Sequence, residues 1–228
     1  MIWFLGDLAD NPPALIAYFA AFVVALVAGI AFHEFCHAWA ASELGDQTAA
    51  RQGRLTLNPI VHIDPMGALM LLFVGFGWGR PTPVNPYNLR VGVRRGNMLV
   101  ALAGPASNFF FAILLAIPLR LGWVPLFTDP RLVSDASGME IVGFFLFMAL
   151  FFNVLLGIFN LIPIHPLDGF KVAVGIVPRE VARHLEALAP YGPGILITLL
   201  VIGFVLPQFA VLHWVIWGLM NTILDILL

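Results

Sequence analysis

Two histidines four residues apart bracket a glutamate in the run His33-Glu34-Phe35-Cys36-His37. On a helix, residues four apart project from one face, so both imidazoles can reach a single zinc ion. A glutamate directly after the first histidine is placed to take a proton from a water activated by that ion. The chemistry would be metal-assisted hydrolysis. The five-residue pattern alone is weak, because it arises by chance. Its surroundings make it informative: the 19 residues from Ala14 to Phe32 carry no charge, and Ala38, Trp39, Ala40 and Ala41 follow the motif. An ionisable side chain at the centre of a membrane helix costs about 2.5–3.5 kcal/mol on insertion scales, so three together need a function.

A hydrolytic zinc takes three protein ligands and leaves a position for water. Asp168, in Asn160-Leu-Ile-Pro-Ile-His-Pro-Leu-Asp168-Gly169, is the leading third ligand. It follows two helix-breaking prolines in apolar surroundings, and Gly169 permits a tight turn. An aspartate there could instead cap the helix after it, and His165 is the rival third ligand. Asn108, Asn153 and Asn160 are amides within apolar stretches, where hydrogen bonds between helices are the ordinary explanation. Cys36 reads as a small packing residue one turn from His33. His62 reads as a local hydrogen-bonding residue, His184 as solvated and His213 as interfacial.

The elements that must carry these groups belong to a membrane. Hydrophobic residues make up 61% of the 228 and charged residues 11%, with a mean hydropathy of +0.95, where soluble domains average about 25% charged. The net charge of -2 gives no basis for a nucleic-acid partner, and the single cysteine excludes an internal disulfide. The N-terminus lacks a basic region and carries Asp7 and Asp10, so no cleavable leader is expected. Pro12-Pro13 opens a first helix that runs to about Leu44. From Ala14 to His33 is about 29 Å of rise, which puts the histidines near the far side of the bilayer from the N-terminus. Further spans are expected at 98–122 and 139–162, a short apolar piece at 170–177, a surface amphipathic helix at 179–188, and a final pair at 195–206 and 209–228 around Pro207. The apolar patch from Met66 to Trp78 is too short to span, and the alternation of Gly75, Gly77 and Gly79 before Pro81, Pro83 and Pro86 suggests a re-entrant hairpin or loop.

The expected class is thus an all-α polytopic membrane protein of about five to six membrane helices or half-helices. It forms one domain over 1–228, with a catalytic core at about 12–177 and a C-terminal helix pair at about 191–228. Nine of the 11 Lys and Arg residues fall in 46–95 and 165–190, on one side of the bilayer. The positive-inside rule puts that side, and the metal motif, toward the cytoplasm of a plasma membrane.

These residues resemble the site-2 protease family of intramembrane zinc metalloproteases. The likeness lies in HEFCH at 33–37, the LNPIVHIDPMG and GWGRPTPVNP segments at 57–67 and 77–86, GPASN at 104–108 and NLIPIHPLDG at 160–169. The resemblance implies one zinc per chain held by His33, His37 and Asp168, with Glu34 as general base. It implies that Asn160 contacts substrate backbone, and it offers Asn108 as a second substrate-binding residue. It makes 66–78 a membrane-embedded β-hairpin offering an edge to an extended substrate. It implies substrates that are transmembrane proteins or signal-peptide remnants within the lipid bilayer. The chain would be a short form, since many members carry a PDZ or cystathionine-β-synthase-type domain. The competing reading is a divalent-metal transporter or sensor without hydrolysis, which has no need of a carboxylate directly after His33.

Overall fold

The computed structural model describes residues 11–74 and 77–228. The first ten residues, on which the expectation about a leader rests, lie outside the described residues, as do positions 75 and 76. Helix α1, Pro12–Glu43, starts where expected: Asn11 Oδ1 accepts from the Ala14 amide at 3.2 Å and two prolines fill the first turn. It stops at Leu44-Gly45, where Gly45 takes a φ of +108° that side-chain-bearing residues rarely adopt. A single turn, α2 (Thr48–Arg51), and helix α3 (Pro65–Val74) follow.

Helix α3 corrects one expectation. The stretch read as a β-hairpin is helical from Pro65 to Val74, with Asp64 Oδ1 accepting from the Gly67 amide at 2.8 Å. After a proline in the first turn, Met, Ala and Leu are strong helix formers. What survives of the hairpin is one antiparallel bridge between Ile63 and Gly79. It brings the segment back to its starting point. Among the described residues there is no β-strand.

Helix α4 (Val93–Arg120) and helix α5 (Gly138–Asn160) form the centre. Helix α5 opens on a capping box in which Ser137 Oγ accepts from the Glu140 amide and Glu140 Oε2 accepts from the Ser137 amide. Helices α6 (Asp168–Ile176), α7 (Arg179–Leu188), α8 (Gly192–Val205) and α9 (Val211–Leu227) complete the chain. Among the described residues, four segments are long and apolar enough to cross a membrane: α1, α4, α5 and the run Arg179–Gly203, which joins α7 to α8. This is an integral membrane protein.

Packing radiates from α4, which lies against α1, α5 and α6. Phe22, Ala25 and Leu26 of α1 meet Phe144, Met148 and Phe152 of α5. On the other side, Ala112 and Ala116 of α4 meet Leu150, Val154 and Ile158, and Met220 of α9 closes that cluster. Lipid removes the hydrophobic drive between helices, so small residues that let backbones approach do much of the holding. A Cβ on Gly29 would already lie 3.0 Å from Leu156 and 3.2 Å from Asn153. Large apolar side chains such as Ile16, Val24, Phe110 and Trp214 point outward, as a lipid-facing surface requires.

Candidate metal centre

His33 and His37 lie on the buried face of α1, three and two turns before its end. Asp168 is the first residue of α6. The turn that delivers it is packed backbone to backbone: a Cβ on Gly169 would sit 2.1 Å from the Leu161 carbonyl oxygen. The three side chains converge. His33 Nε2 lies 3.1 Å from Asp168 Oδ2, His37 Nε2 lies 3.0 Å from it, and the two Nε2 atoms are 3.0 Å apart. All three residues are buried, and they could hold one metal ion.

The hydrogen bonds behind the rings decide what such an ion would meet. His37 Nδ1 faces the Val100 carbonyl at 2.7 Å. A carbonyl only accepts, so Nδ1 carries the proton and a neutral His37 presents a lone pair at Nε2. His33 Nδ1 faces Asn108 Oδ1 at 2.6 Å, with the same consequence. With neutral rings, two nitrogen lone pairs and a carboxylate oxygen crowd within about 3 Å with no proton to share between them. A bound cation makes that arrangement favourable. Bonds of about 2.0–2.2 Å to a tetrahedral zinc put ligand atoms about 3.3–3.5 Å apart. The donor set therefore fits zinc after a small expansion. Helix α4 presses on this point, where a Cβ on Gly104 would lie 2.4 Å from His37 Nε2 and 2.5 Å from His33 Nε2.

Glu34 lines the same cavity, of about 400 Å³, as His33, His37, Asp168 and Asn160. Its Oε2 accepts from the Thr82 amide at 2.8 Å, and Thr82 Oγ1 donates to its backbone carbonyl at 3.1 Å. Thr82 stands between Pro81 and Pro83, so it supplies the one backbone N–H in that triplet. That isolated donor was the available sequence signal for its role, and residue-type reasoning passed over it. The loop is tied down at Asp46, which accepts from the amides of Thr48 and Asn85, the Thr48 hydroxyl and the Asn88 side chain. Burial by itself would raise the Asp46 carboxyl; these hydrogen bonds outweigh it and hold the group below the usual carboxylate range.

The remaining sequence candidates divide. Asn160 reaches the cavity wall, and its Nδ2 donates to the Leu156 carbonyl at 3.0 Å. Asn108 is fully buried behind His33 and does not line the cavity. His165 stands apart from the trio, its ring edge-on to Phe170 at 5.5 Å. His62 Nε2 is bonded locally to the Thr56 carbonyl at 2.8 Å.

A family model described as "Peptidase family M50" matches residues 122–200. Over 206 residues the chain is 36% identical to a Bacillus subtilis protein named "Putative zinc metalloprotease YwhC", covering 87% of this chain and 85% of that protein. The chain belongs to peptidase family M50. The chain is also similar to mycobacterial proteins named "Putative zinc metalloprotease Rip2". One, from Mycolicibacterium smegmatis, is 30% identical over 88% of this chain and 74% of its own length. The other, from Mycobacterium tuberculosis, is 32% identical over 94% of this chain and 79% of its own length. No solved structure matches the chain. The M50 assignment agrees with the site-2 protease resemblance carried by the motifs.

Proposed function

We propose that this M50 chain is an intramembrane zinc endopeptidase that hydrolyses peptide bonds in or near transmembrane segments of other membrane proteins, including signal-peptide remnants. The observation that carries the reading is the convergence of His33, His37 and Asp168, from two helices 131 residues apart in sequence, onto one point beside Glu34. In this reading the three hold one zinc, which when bound supplies a Lewis acid that activates water and polarises the scissile carbonyl. Glu34 takes the proton from the attacking water and delivers it to the leaving amine. Thr82 holds the Glu34 carboxylate toward the cavity. Asn160 offers an amide to the backbone of a substrate that has unwound locally, since a helical substrate hides its carbonyls in its own hydrogen bonds. The membrane is crossed by α1, α4, α5 and the run that joins α7 to α8, with α9 as a shorter apolar helix beside them and α3 as a re-entrant half-helix. The basic residues of 46–95 and 165–190 put the site toward the cytoplasmic side of the plasma membrane. A transport or sensing role accounts for the ligands and leaves Glu34 without a task.

Reconstitution with a model transmembrane substrate tests this. Glu34→Gln is expected to bind zinc at the wild-type ratio of one per chain and to cleave about 10²–10⁴-fold more slowly. Cleavage at the wild-type rate would remove Glu34 from the mechanism. Asp168→Ala is expected to lose zinc; unchanged metal content would hand the third position to another residue, His165 first.

A further inference from the structure

We infer that Asn108 and Asn153 form a directional relay that fixes the tautomer of His33, making both asparagines positioning residues for the metal rather than substrate contacts. The inference rests on the zinc reading above. Asn153 Nδ2 lies 2.8 Å from the Ala149 carbonyl. A carbonyl accepts only, so the Asn153 amide has one allowed orientation and turns its Oδ1 away from Ala149. That oxygen accepts from Asn108 Nδ2 at 2.9 Å. The same Nδ2 donates to the Gly29 carbonyl at 3.3 Å. Asn108 is thereby oriented by two acceptors, and its own Oδ1 must face the His33 ring, where it sits 2.6 Å from Nδ1.

Each amide leaves the next one a single choice. The chain starts at a main-chain carbonyl of α5, crosses α4 and ends on α1, and its product is a protonated Nδ1 with a lone pair at His33 Nε2. Both asparagines are fully buried, so no water competes for these groups and no flip is tolerated without orphaning one of them. The two metal-facing histidines thus differ. His37 takes its tautomer from a helix carbonyl, Val100, which no side-chain substitution can remove. His33 depends on two side chains that substitution can remove. Partners of this kind, behind a metal-binding histidine, change metal affinity about 10–100-fold when lost.

A purely structural role, in which the amides only bridge helices, makes the opposite prediction for one pair of variants. Asn108→Leu removes the acceptor for His33 Nδ1. Asn108→Asp keeps that acceptor and loses both donations, to Gly29 and Asn153. Zinc affinity by chelator competition and thermal midpoint in detergent should therefore rank the variants in opposite orders. Asn108→Leu is expected to bind zinc about 10–100-fold more weakly than wild type. Asn108→Asp is expected to stay within about threefold, while melting no higher than the leucine variant. At the other end, Asn153→Asp should keep zinc affinity and Asn153→Leu should lower it, with Gly29 still orienting Asn108 in part. The same pair replaces the first if Asn108→Leu does not fold. Leucine and aspartate variants with equal zinc affinity, differing only in melting, would overturn the relay. A wild-type protein that binds no zinc would instead overturn the metal reading itself.

Discussion

The metal centre and the C-terminal helix pair are built from similar apolar sequence and packed to opposite standards. Around His33 and His37, helices α1, α4, α5 and α6 approach so closely that glycines are the limit of what fits. Gly104 and Gly169 each face atoms within 2.5 Å of where a Cβ would stand. In α8 and α9 the reverse holds. Apart from Gly192 at the first position of α8, where a Cβ would lie 2.3 Å from the His165 carbonyl oxygen, the glycines of the pair are loosely surrounded: Gly194 and Gly218 face open space, and the nearest contact at Gly203 is an ordinary 3.5 Å. Among the described residues Leu196 and Met220 are the pair's buried large side chains. In a lipid solvent, hydrophobicity alone cannot tell a tight helix pair from a loose one. What separates these regions is small residues and directional polar bonds, present in the first and sparse in the second.

The sharpest way to break this contrast is a methyl group. Gly104→Ala places one against both Nε2 atoms and should abolish zinc retention and cleavage together, measured as metal content and turnover in detergent. Next in size is Asp46→Ala, which strands the donors of Thr48, Asn85 and Asn88. It should cost about 1–3 kcal/mol by thermal or denaturant melting. Because the Asp46 carboxyl is held below its ordinary range, its contribution is present in full above that range and lost as the pH falls through the lowered value. Wild type should therefore lose more stability in acid than the alanine variant does. In the C-terminal pair, Met220→Ala should cost less than the ~2–5 kcal/mol such a truncation costs in the core of a water-soluble protein, since in lipid the water-to-core transfer contribution is absent and the cavity remains. Its cleavage rate should stay near wild type. Gly218→Ala should change melting by no more than about 0.5 kcal/mol. A loss at Gly218 comparable with that at Gly104 would erase the distinction between the regions.

The legible parts of the sequence were those written in local chemistry. Pro12-Pro13 marks the start of α1, Gly45 its end, and the charges at 179, 180, 183 and 186 mark α7, whose bounds agree with the structure. The pairing of His33 and His37 follows from helical period alone. Two stretches were not legible, for physical reasons. The apolar patch after Pro65 is short enough that strand and helix patterns cannot be separated by periodicity; the later glycines drew the reading toward a hairpin, and the helix formers Met66 to Leu72 prevail. Asn108 was read both as a bridge between helices and as a candidate substrate contact, because type and spacing do not reveal which way an amide turns. Its direction is set by carbonyls of α1 and, through Asn153, of α5, and no one-dimensional pattern records those crossings. Thr82 was missed because its importance comes from its two neighbours, which cannot donate.

The depth of the histidines has a consequence for what is released. His33 lies about 30 Å of helical rise beyond the start of α1, near one boundary of a hydrocarbon layer about 30 Å thick. In the proposed function, a bond severed at that depth would split a target's anchor unequally. The longer remnant keeps most of its apolar length and stays embedded. The shorter one would carry a tail of only a few greasy residues, too little to hold it at the surface, and would be the part set free.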